Sequence, residues 1–432
     1  MKATLSPAAL HGRIPAIASK SDVHRLLFCA AQANGTTRIR LNGTPVLSDD
    51  LLATVDCVRK LGCQTEFADG SLIIAPTGKR IREPHFDCRE SGSTLRFLLP
   101  VAAARTKDPS FTGSGRLPER PVTDLLRCLQ ARGIEVSSRQ LPFSFSGRLH
   151  SGKFELPGDV SSQYITGLML ALPNLHGDSR IMLTSPLQSA SYVDITLHAL
   201  SRFQIEVTPL QEGWHLPGQQ IFETPGTLTA DGDWSNAGFF LAAGALSEDP
   251  DGLTVEGLDP ESPQGDRATL AILERFGAGV TLSDSRFEGM KDIKVRPGSL
   301  KGTTVDLTDI PDSLPVLAVV ASHATGKTIF TGGSRLRLKE SDRIHSVAEM
   351  IRSLGGQAEE LSDGLIVSGK DVAPLTGGTV DSFHDHRIVM AASIAAAGTK
   401  EPVTILDCEA VNKSYPTFFE DYQQTGGIAH VV

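Results

Sequence analysis

The sequence predicts an α/β chain built from six copies of one helix-and-strand unit. Two observations support this prediction, because two different elements each recur six times along the chain. The first element is an amphipathic helix that ends at a turn residue and leads into a strand. The second is a polar cluster followed by an apolar helix that contains alanine. The length of 432 residues further predicts two or more domains.

The first element ends at residues 62, 133, 204, 277, 355 and 426, which are spaced by about 71 to 78 residues. Its first copy is the segment 51–62. Glycine occupies five of the six turn positions, and it suits the left-handed conformation that often ends a helix. Gln204 is the exception, so we expect backbone strain there.

The second element begins with residues that can cap a helix. The apolar segments that follow, such as 97–104 and 239–245, are typical of helices that are buried all round. If the six helices pack with their N-termini at one end, their backbone N–H groups and positive dipole ends favour a multiply charged anion. The six clusters begin at residues 19, 91, 160, 233, 310 and 384.

Several clusters contain side chains that helix capping does not require. Lys20 and Arg25 lie on an otherwise apolar helix, where their burial would require an anionic partner. Arg96, Gln163 and Arg387 stand in three of the other clusters. These residues favour a shared anion-binding site over six independent helix caps.

The stretch 334–343 concentrates positive charge. Basic residues and leucine alternate over 335–339, and a strand there would place its three basic residues on one face and both leucines in the core. The next three residues, 340–342, suit the first turn of a helix with apolar positions 344, 347, 351 and 354. The stretch therefore predicts an anion site with a carboxylate beside it. A solvated, charged strand edge is the alternative.

Composition excludes several classes of protein. A formal net charge of -9 disfavours a general nucleic-acid binder, which needs a basic surface. The six scattered cysteines form no C-x-x-C pair and suit reduced thiols in the cytoplasm. The N-terminal residues lack the continuous apolar segment of a signal peptide, and no apolar run approaches the roughly 18 residues that span a bilayer. We therefore expect a cytoplasmic protein without a membrane or nucleic-acid partner.

Two short motifs leave alternatives open at this point. Asp312 follows Pro311 at the start of an apolar segment, where a carboxylate is either a helix cap or a functional group. His384 and His386 suggest a metal site, but an H-x-H motif alone lacks a third and a fourth ligand. Orientation and anion binding explain this segment better, so no metal is expected.

Nine motifs together resemble the 5-enolpyruvylshikimate-3-phosphate synthase family, over nearly the full chain from Lys20 to Lys413. Each motif is modest evidence by itself, but all nine follow the order of the family. They are S-K-S-x-x-x-R at 19–25, S-G-S-T-x-R at 91–96, E-R-P at 119–121, S-S-Q at 161–163, Q-G-D at 264–266, I-P-D at 310–312, L-R-x-K-E-S-D-R at 336–343, D-H-R at 385–387 and K-S-Y-P at 413–416.

The resemblance implies an α/β (α+β) fold of two domains, each with three βαβαββ units and buried parallel helices in an inverse barrel-like arrangement. The domains would comprise 1–18 with 231–432, and 19–230, with the active site in the cleft between them. It also implies transfer of the enolpyruvyl group of phosphoenolpyruvate to the 5-hydroxyl of shikimate 3-phosphate, with release of phosphate. The family uses no metal or organic cofactor, and a monomer is expected.

The resemblance also implies roles for individual residues. Glu340 would be the proton donor and Asp312 the proton acceptor, while Lys20 and Lys339 would stabilise the developing charge. The first domain would carry most of the phosphoenolpyruvate clamp and the second most shikimate 3-phosphate contacts. The clamp would comprise Lys20, Gly92, Arg120, Arg343, Arg387 and Lys413. The shikimate 3-phosphate contacts would be Ser21, Arg25, Ser161, Ser162, Gln163 and Ser189, with Asp312 and Lys339 beside them.

Two alternative functions remain to be weighed. The related UDP-N-acetylglucosamine enolpyruvyl transferases usually have Lys-Asn where Lys20 and Ser21 stand, and a cysteine in the loop before Arg-Pro. No cysteine occurs in the corresponding segment 113–119, which disfavours that acceptor. A non-catalytic anion-binding repeat protein would have lost the acid and the base, but Asp312 and Glu340 are both present.

Overall fold

In the computed structural model, which describes residues 1–79 and 81–432, helices and strands alternate along the chain. Helices that carry one apolar face alternate with helices that are buried on all sides. The helices of the described residues are α1 Lys20–Ala30, α2 Asp49–Lys60, α3 Gly92–Arg105, α4 Thr123–Gln130, α5 Ser162–Ala171, α6 Ala190–Ser201, α7 Trp234–Leu246, α8 Thr269–Phe276, α9 Leu314–His323, α10 Arg343–Ser353, α11 His386–Ala397 and α12 Phe418–Gln424. Their strands are β1 Lys2–Ser6, β2 Gly12–Pro15, β3 Thr37–Arg40, β4 Cys63–Ala68, β5 Ser71–Pro76, β6 His85–Asp87, β7 Ser110–Thr112, β8 Ile134–Val136, β9 Phe143–Gly147, β10 Lys153–Leu156, β11 Ser179–Leu183, β12 Thr208–Leu210, β13 Gly213–Leu216, β14 Thr227–Thr229, β15 Leu253–Leu258, β16 Gly279–Asp284, β17 Lys291–Arg296, β18 Thr304–Asp306, β19 Lys327–Thr331, β20 Gln357–Glu360, β21 Leu365–Ser368, β22 Gly378–Asp381, β23 Val403–Leu406 and β24 Ile428–Val431.

These strands form six four-stranded sheets within the described ranges, and the sheets share one topology. In the sheet β6-β7-β9-β8, β6 pairs in parallel with β7, and β9 lies antiparallel between β7 and β8. The buried helix α3 connects β6 to β7, since a parallel pair needs a long crossover. The amphipathic helix α4 follows β7. The βαβαββ unit implied by the family resemblance is therefore confirmed.

Two strands pair outside the segment in which they stand. β2 precedes α1 in the chain but pairs with β15, whereas β14 precedes α7 but pairs with β3. The chain accordingly divides into two compact units, unit 1 with residues 1–17 and 231–432 and unit 2 with residues 18–230. The chain crosses from one unit to the other twice, each time between a strand and the helix that follows it in sequence.

Each unit has a hydrophobic core of its own. In unit 2 the apolar helices α1, α3 and α5 contact one another, and α7, α9 and α11 do so in unit 1. These helices are 10 to 14 residues long, and most of their side chains are buried, as predicted. None of the helices in the described residues has both the length and the apolar character of a membrane span.

The six predicted turn positions all adopt a left-handed backbone. The five glycines have φ between 89° and 113°, and Gln204 has φ 60°. A β-carbon disfavours this region by roughly 1–2 kcal/mol. The expected strain at Gln204 therefore lies at the end of α6, where its side chain is exposed.

Gln204→Gly is expected to stabilise unit 2 by about 0.5–1 kcal/mol, because it removes the left-handed strain at the cost of some unfolded-state entropy. Denaturant unfolding can be followed by the fluorescence of Trp214 after Trp234 is replaced with Phe. As a control, Gly133→Ala is expected to destabilise the same unit, because its β-carbon would lie 2.5 Å from the Arg148 carbonyl oxygen at φ 100°. A less stable Gln204→Gly variant would contradict this account.

Candidate active site

Lys20 is the first residue of α1 and is anchored by a carboxylate. Its Nζ lies 2.8 Å from Oδ2 of Asp50, which belongs to the first turn of α2. Ser19 caps α1 through its hydroxyl, which accepts a hydrogen bond from the Asp22 backbone N–H. The ammonium group therefore lies at a helix N-terminus, where the helix dipole also favours an anion.

Arg25 lies one turn further along α1 and is buried inside unit 2. Its guanidinium donates to Thr196 Oγ1 at 2.8 Å, to the Tyr192 carbonyl at 2.8 Å and to the Ser21 carbonyl at 2.5 Å. It also lies 5.0 Å above the ring of Phe97. Burial lowers the pKa of Arg25 to about 10. Arg25 thus joins α1 to α6, and a direct contact with substrate stays a prediction.

Gly92 opens α3 beneath two guanidinium groups. A β-carbon on Gly92 would lie 2.5 Å from Arg96 Nη1 and 2.7 Å from Arg120 Nη1. Ser91 caps the helix by accepting a hydrogen bond from the Thr94 N–H. The absence of a side chain at Gly92 therefore lets both arginines approach the helix N-terminus, which is a favourable place for a phosphate or carboxylate.

Gln163 is held from both ends of its amide. Its Oε1 accepts from Arg96 Nη1 at 3.0 Å, and its Nε2 donates to Ser93 Oγ at 2.9 Å. Arg96 Nη2 also donates to the Pro121 carbonyl at 2.8 Å. These contacts join the N-terminal turns of α3 and α5 and fix the direction of the Gln163 side chain.

Three of the four predicted serines stand at two other helix starts of unit 2. Ser161 caps α5 by accepting from the Gln163 N–H, and Ser162 is the first residue of that helix. Ser189 precedes α6 in a left-handed conformation with φ 53° and is buried. Such a conformation is unfavourable for serine, and backbone strain of this kind occurs often at functional sites.

A chain of buried polar side chains lies among the first three helices of unit 2. His24 Nδ1 is 2.7 Å from Thr54 Oγ1, which is 2.7 Å from Thr94 Oγ1, and Thr94 donates to Ser91 Oγ at 2.7 Å. The chain joins α1, α2 and α3. Burial lowers the pKa of His24 to about 3, so the imidazole is neutral at physiological pH.

In unit 1, Arg343 is surrounded by three carboxylates. Its Nη1 lies 2.7 Å from Asp312 Oδ1, its Nη2 2.8 Å from Glu340 Oε2, and its Nε 2.9 Å from Asp385 Oδ2. The guanidinium is 1% exposed. Burial alone would lower the pKa of Arg343, but Asp385, Glu340 and Asp312 together raise it above its ordinary value. The three carboxylates thus keep this arginine charged, and they are held in fixed positions around it.

Asp312 faces three cations and lies on a short 3-10 helix, Pro311–Ser313. Besides Arg343, its carboxylate oxygens lie 3.3 Å from Lys339 Nζ and 3.2 Å from Arg387 Nη2. The Ser313 hydroxyl donates to Asp266 Oδ1 at 2.9 Å, which holds the 3-10 helix in place. Burial and the neighbouring Asp312 raise the pKa of Asp266.

The Lys339 ammonium group contacts the Asp312 carboxylate, which also pairs with Arg343. Burial lowers the pKa of Lys339, and the charge of Asp312 opposes that effect. Lys413 ends the 3-10 helix Cys408–Lys413 and is buried. A carboxylate and several cations of this kind can bind an anionic substrate and move a proton beside it.

The strand hypothesis for 335–339 is wrong, because residues Ser334–Leu338 form a 3-10 helix. Leu336 is fully buried, but Leu338 is 52% exposed. A 3-10 helix has three residues per turn, so the two leucines do not share a face as they would in a strand. Arg337 turns away to pair with Asp342 at 2.8 Å.

The predicted helix begins later than expected. Residues 340–342 precede α10, which starts at Arg343 with Asp342 as its N-cap. The Asp342 side chain accepts from the His345 N–H at 3.2 Å, so Asp342 satisfies the first turn from outside the helix. The predicted apolar positions 344, 347, 351 and 354 are all fully buried.

Possible metal ligands lie outside the predicted site residues. In the part of the chain that the structure describes, His345, Glu349 and Glu360 bring ligand atoms within 4.8 Å of one another. Arg352 Nη1 already lies 2.6 Å from Glu349 and 3.5 Å from Glu360, so the group forms a surface ion-pair network. Of the two histidines that suggested a metal in the sequence, the side chain of His384 is 80% exposed and that of His386 2%.

The predicted site residues fall into two sets, one in each unit. Unit 2 contains Lys20, Ser21, Arg25, Gly92, Arg120, Ser161, Ser162, Gln163 and Ser189. Unit 1 contains Asp312, Lys339, Glu340, Arg343, Arg387 and Lys413. Sequence reasoning assigned no role to Asp50, Asp266 or Asp385, although Asp266 and Asp385 stand in the Q-G-D and D-H-R motifs.

Comparison with known proteins identifies the family. The family model for EPSP synthase (3-phosphoshikimate 1-carboxyvinyltransferase) matches residues 5–422. A 3-phosphoshikimate 1-carboxyvinyltransferase of Clostridium kluyveri is 38% identical over 429 residues, covering 98% of this chain and 97% of the relative. A protein of the same name from Methanocorpusculum labreanum is 36% identical, with 99% of each chain covered.

The chain belongs to the EPSP synthase family. A solved EPSP synthase of Acinetobacter baumannii superposes with a TM-score of 0.82 at 27% identity, covering 100% of both chains. The enolpyruvyl transferase NikO of Streptomyces tendae shares the fold, with a TM-score of 0.79 at 18% identity over 99% of this chain and 98% of that one. The two-domain α/β fold of the EPSP synthase family is therefore confirmed for this chain. The barrel-like arrangement of its helices stays a prediction.

The buried His24 makes a testable contribution to stability in this member of the EPSP synthase family. The folded-state pKa of His24 is lowered from 6.5 to about 3. At pH values between these two, the imidazole is therefore protonated in the unfolded chain but neutral in the folded one. Stability is therefore expected to fall as the pH decreases through this window, by up to about 1.4 kcal/mol per pH unit from this group.

His24→Asn is expected to reduce the slope of unfolding free energy against pH between pH 4 and 6. The asparagine can still hydrogen-bond Thr54 but does not titrate. Denaturation followed by Trp214 fluorescence in the Trp234→Phe background measures the slope, and the exposed His176→Asn controls for the loss of a histidine. An unchanged slope in His24→Asn would refute the assignment.

Proposed function

We propose that this chain transfers the enolpyruvyl group of phosphoenolpyruvate to the 5-hydroxyl of shikimate 3-phosphate and releases phosphate. Membership of the EPSP synthase family and the names of its relatives support this proposal. The observation that carries it is the placing of two carboxylates, Asp312 and Glu340, on one buried guanidinium, that of Arg343. Each substrate has a carboxylate and a phosphate, so the site needs cations. The transfer of the enolpyruvyl group also needs side chains that exchange protons.

The cations suit phosphoenolpyruvate. Arginine matches the oxygens of carboxylate and phosphate with its planar fork, and lysine adds a compact charge. In unit 1 the proposed clamp residues are Arg343, Arg387 and Lys413, and in unit 2 they are Lys20 and Arg120 beside Gly92. The approach of Arg120 to within 2.7 Å of a β-carbon built on Gly92 explains why that position needs glycine.

The chemistry requires proton transfers in both its addition and its elimination step. As the 5-hydroxyl oxygen bonds to C2 of phosphoenolpyruvate, its proton passes to Asp312 and a proton passes from Glu340 to the methylene carbon. The new methyl group then returns one proton to Glu340, and phosphate leaves with the proton held by Asp312, which restores the double bond. Each general acid or base contributes on the order of 10²–10⁴-fold, and Lys20 and Lys339 stabilise the developing charge.

The shikimate 3-phosphate contacts are proposed mainly for unit 2. Ser161 and Ser162 stand at the N-terminus of α5, where backbone N–H groups favour a phosphate. Gln163 and Ser189 add an amide and a hydroxyl, and Ser21 and Arg25 stand on α1. Because Arg25 already donates to four protein acceptors, it also supports the shape of this surface. Asp312 and Lys339 are proposed to contact the same substrate from unit 1.

We further propose that the enzyme is a cytoplasmic monomer. All six cysteines have free, buried thiols, which suit a reducing compartment. Each unit closes a hydrophobic core of its own. Light scattering of the purified protein tests this point, and a mass of twice 46.1 kDa would contradict it.

Release of inorganic phosphate from phosphoenolpyruvate tests the proposed reaction. We expect release with shikimate 3-phosphate as acceptor and none with UDP-N-acetylglucosamine. Release with the nucleotide sugar alone would assign the other acceptor. Absence of release with either, despite binding of shikimate 3-phosphate, would favour a non-catalytic anion-binding protein.

Asp312→Asn and Glu340→Gln are each expected to lower kcat by at least about tenfold, because each removes a group that exchanges protons with the substrates. Glu349→Gln is the matched control, since it makes the same change to a surface carboxylate of α10. Circular dichroism checks that the variants are folded. Near-normal turnover in a folded variant would remove that residue from the acid–base pair.

Gly92→Ala is expected to raise KM for phosphoenolpyruvate by at least about tenfold, because the added methyl group displaces two guanidinium groups from the helix N-terminus. Gly238→Ala provides a control within a buried helix, since its β-carbon, beyond the backbone of its own helix, meets no atom nearer than 3.9 Å. Steady-state kinetics with phosphoenolpyruvate as the varied substrate measure both. An unchanged KM in Gly92→Ala would mean that neither arginine contributes to binding from its observed position.

A further inference from the structure

The side chain of Asp385 has no exposed surface, and all its hydrogen-bonding capacity is used. Its Oδ2 accepts from Arg343 Nε at 2.9 Å and from Ser341 Oγ at 3.0 Å. Its Oδ1 accepts from Arg343 Nη2 at 3.2 Å and from the Arg387 backbone N–H at 3.0 Å. A carboxylate offers about four acceptor positions, so Asp385 has none left for a substrate or a proton.

We propose that Asp385 is a positioning residue that orients Arg343 and Arg387 together for phosphoenolpyruvate, which rests on the enolpyruvyl transfer proposed above. It acts on Arg343 through the side chain and on Arg387 through the backbone. One carboxylate thereby aligns two of the clamp residues of unit 1.

The geometry explains how Asp385 sets the plane of the Arg343 guanidinium. Asp385 binds the edge formed by Nε and Nη2 with both of its oxygens, and such a bidentate pair fixes orientation as well as distance. Nη1 and the second hydrogen of Nη2 are then directed toward Asp312 and Glu340. Without Asp385 the guanidinium could rotate away from the acid and the base.

The effect on Arg387 comes through the start of α11. Phe383 and His384 both have left-handed backbones, with φ 52° and 53°. They turn the chain so that Asp385 caps the helix, and Arg387 follows in its first turn. From there Arg387 Nη2 reaches Asp312 Oδ2 at 3.2 Å. The cap thus places the second arginine on the same carboxylate as the first.

Helix capping requires one hydrogen bond to a backbone N–H, whereas the Asp385 carboxylate accepts four hydrogen bonds. Asp342 makes the comparison within the same unit, because it caps α10 and pairs with Arg337 at 2.8 Å. The side chain of Asp342 is 38% exposed, and Arg337 is not a predicted site residue. Asp342 and Asp385 therefore share the capping role but differ in the arginine that they hold.

The Asp385→Asn variant separates helix capping from the orientation of Arg343. Asparagine still caps a helix, but its NH2 group would face the donors of Arg343 in place of one acceptor. We expect kcat/KM for phosphoenolpyruvate to fall at least about tenfold. KM for shikimate 3-phosphate is expected to change less than about twofold, because most of its proposed contacts lie in unit 2. Asp342→Asn, the matched control, is expected to leave both KM values within about twofold.

Two further measurements test the positioning role of Asp385 in other ways. Ser341→Ala removes one donor to Asp385 and leaves the ion pair, so it should lower kcat/KM for phosphoenolpyruvate about two- to fivefold even if Asp385→Asn does not fold. A crystal structure of Asp385→Asn is expected to show Arg343 Nη1 out of hydrogen-bond distance of Asp312.

Several outcomes would overturn the role of Asp385. They are unchanged kinetics in the variant, an equal loss for both substrates, or, if Asp385→Asn does not fold, unchanged kinetics in Ser341→Ala. If the wild-type enzyme releases no phosphate, the proposed reaction fails, and the crystal structure then decides alone. An unmoved Arg343 in that structure would refute the positioning role independently of the reaction.

Discussion

The ion pairs of Arg343 are the interaction on which the candidate site of unit 1 depends. One guanidinium, 1% exposed, holds Asp312, Glu340 and Asp385 at 2.7 to 2.9 Å. A buried charge is costly unless it is paired and hydrogen-bonded, so the arrangement is stable only when the partners are present together. Three carboxylates around one arginine leave two negative charges, which the cations Lys339 and Arg387 beside Asp312 balance. The buried arginine thus holds the three carboxylates in defined positions.

The predicted site residues of unit 2 have a different setting. Besides the ion pair of Lys20 with Asp50, this unit has helix N-termini, at which Lys20, Gly92 and Ser162 stand. The buried chain from His24 to Ser91 joins α1, α2 and α3, and the Gln163 amide joins α3 to α5. Backbone N–H groups so placed need no reorganisation when a phosphate binds. The repeat accounts for this feature, because each βαβαββ copy of unit 2 contributes a buried helix that begins with polar residues.

Local sequence patterns predicted much of the fold, whereas contacts between distant residues were less accessible. The repeat, the left-handed backbone at Gln204 and the buried face of α10 followed from spacing and residue type. The alternation over 335–339 misled, because five residues cannot distinguish a strand from a 3-10 helix whose arginine pairs with Asp342. Asp50 and Asp385 were missed because each has the ordinary position of a helix-start acid. Their partners lie 30 and 42 residues away in the chain, and only the folded structure brings these charges together.

The most direct test of this account is the kcat/KM for phosphoenolpyruvate of the Arg343→Lys variant, with shikimate 3-phosphate saturating. Lysine keeps the positive charge but lacks the planar fork that reaches three carboxylates at once. If the geometry of the guanidinium organises the acid, the base and the clamp, kcat/KM should fall at least about 100-fold in a protein that remains folded by circular dichroism. Near wild-type kcat/KM in folded Arg343→Lys would show that a charge alone suffices, and the central role given to this arginine would be wrong.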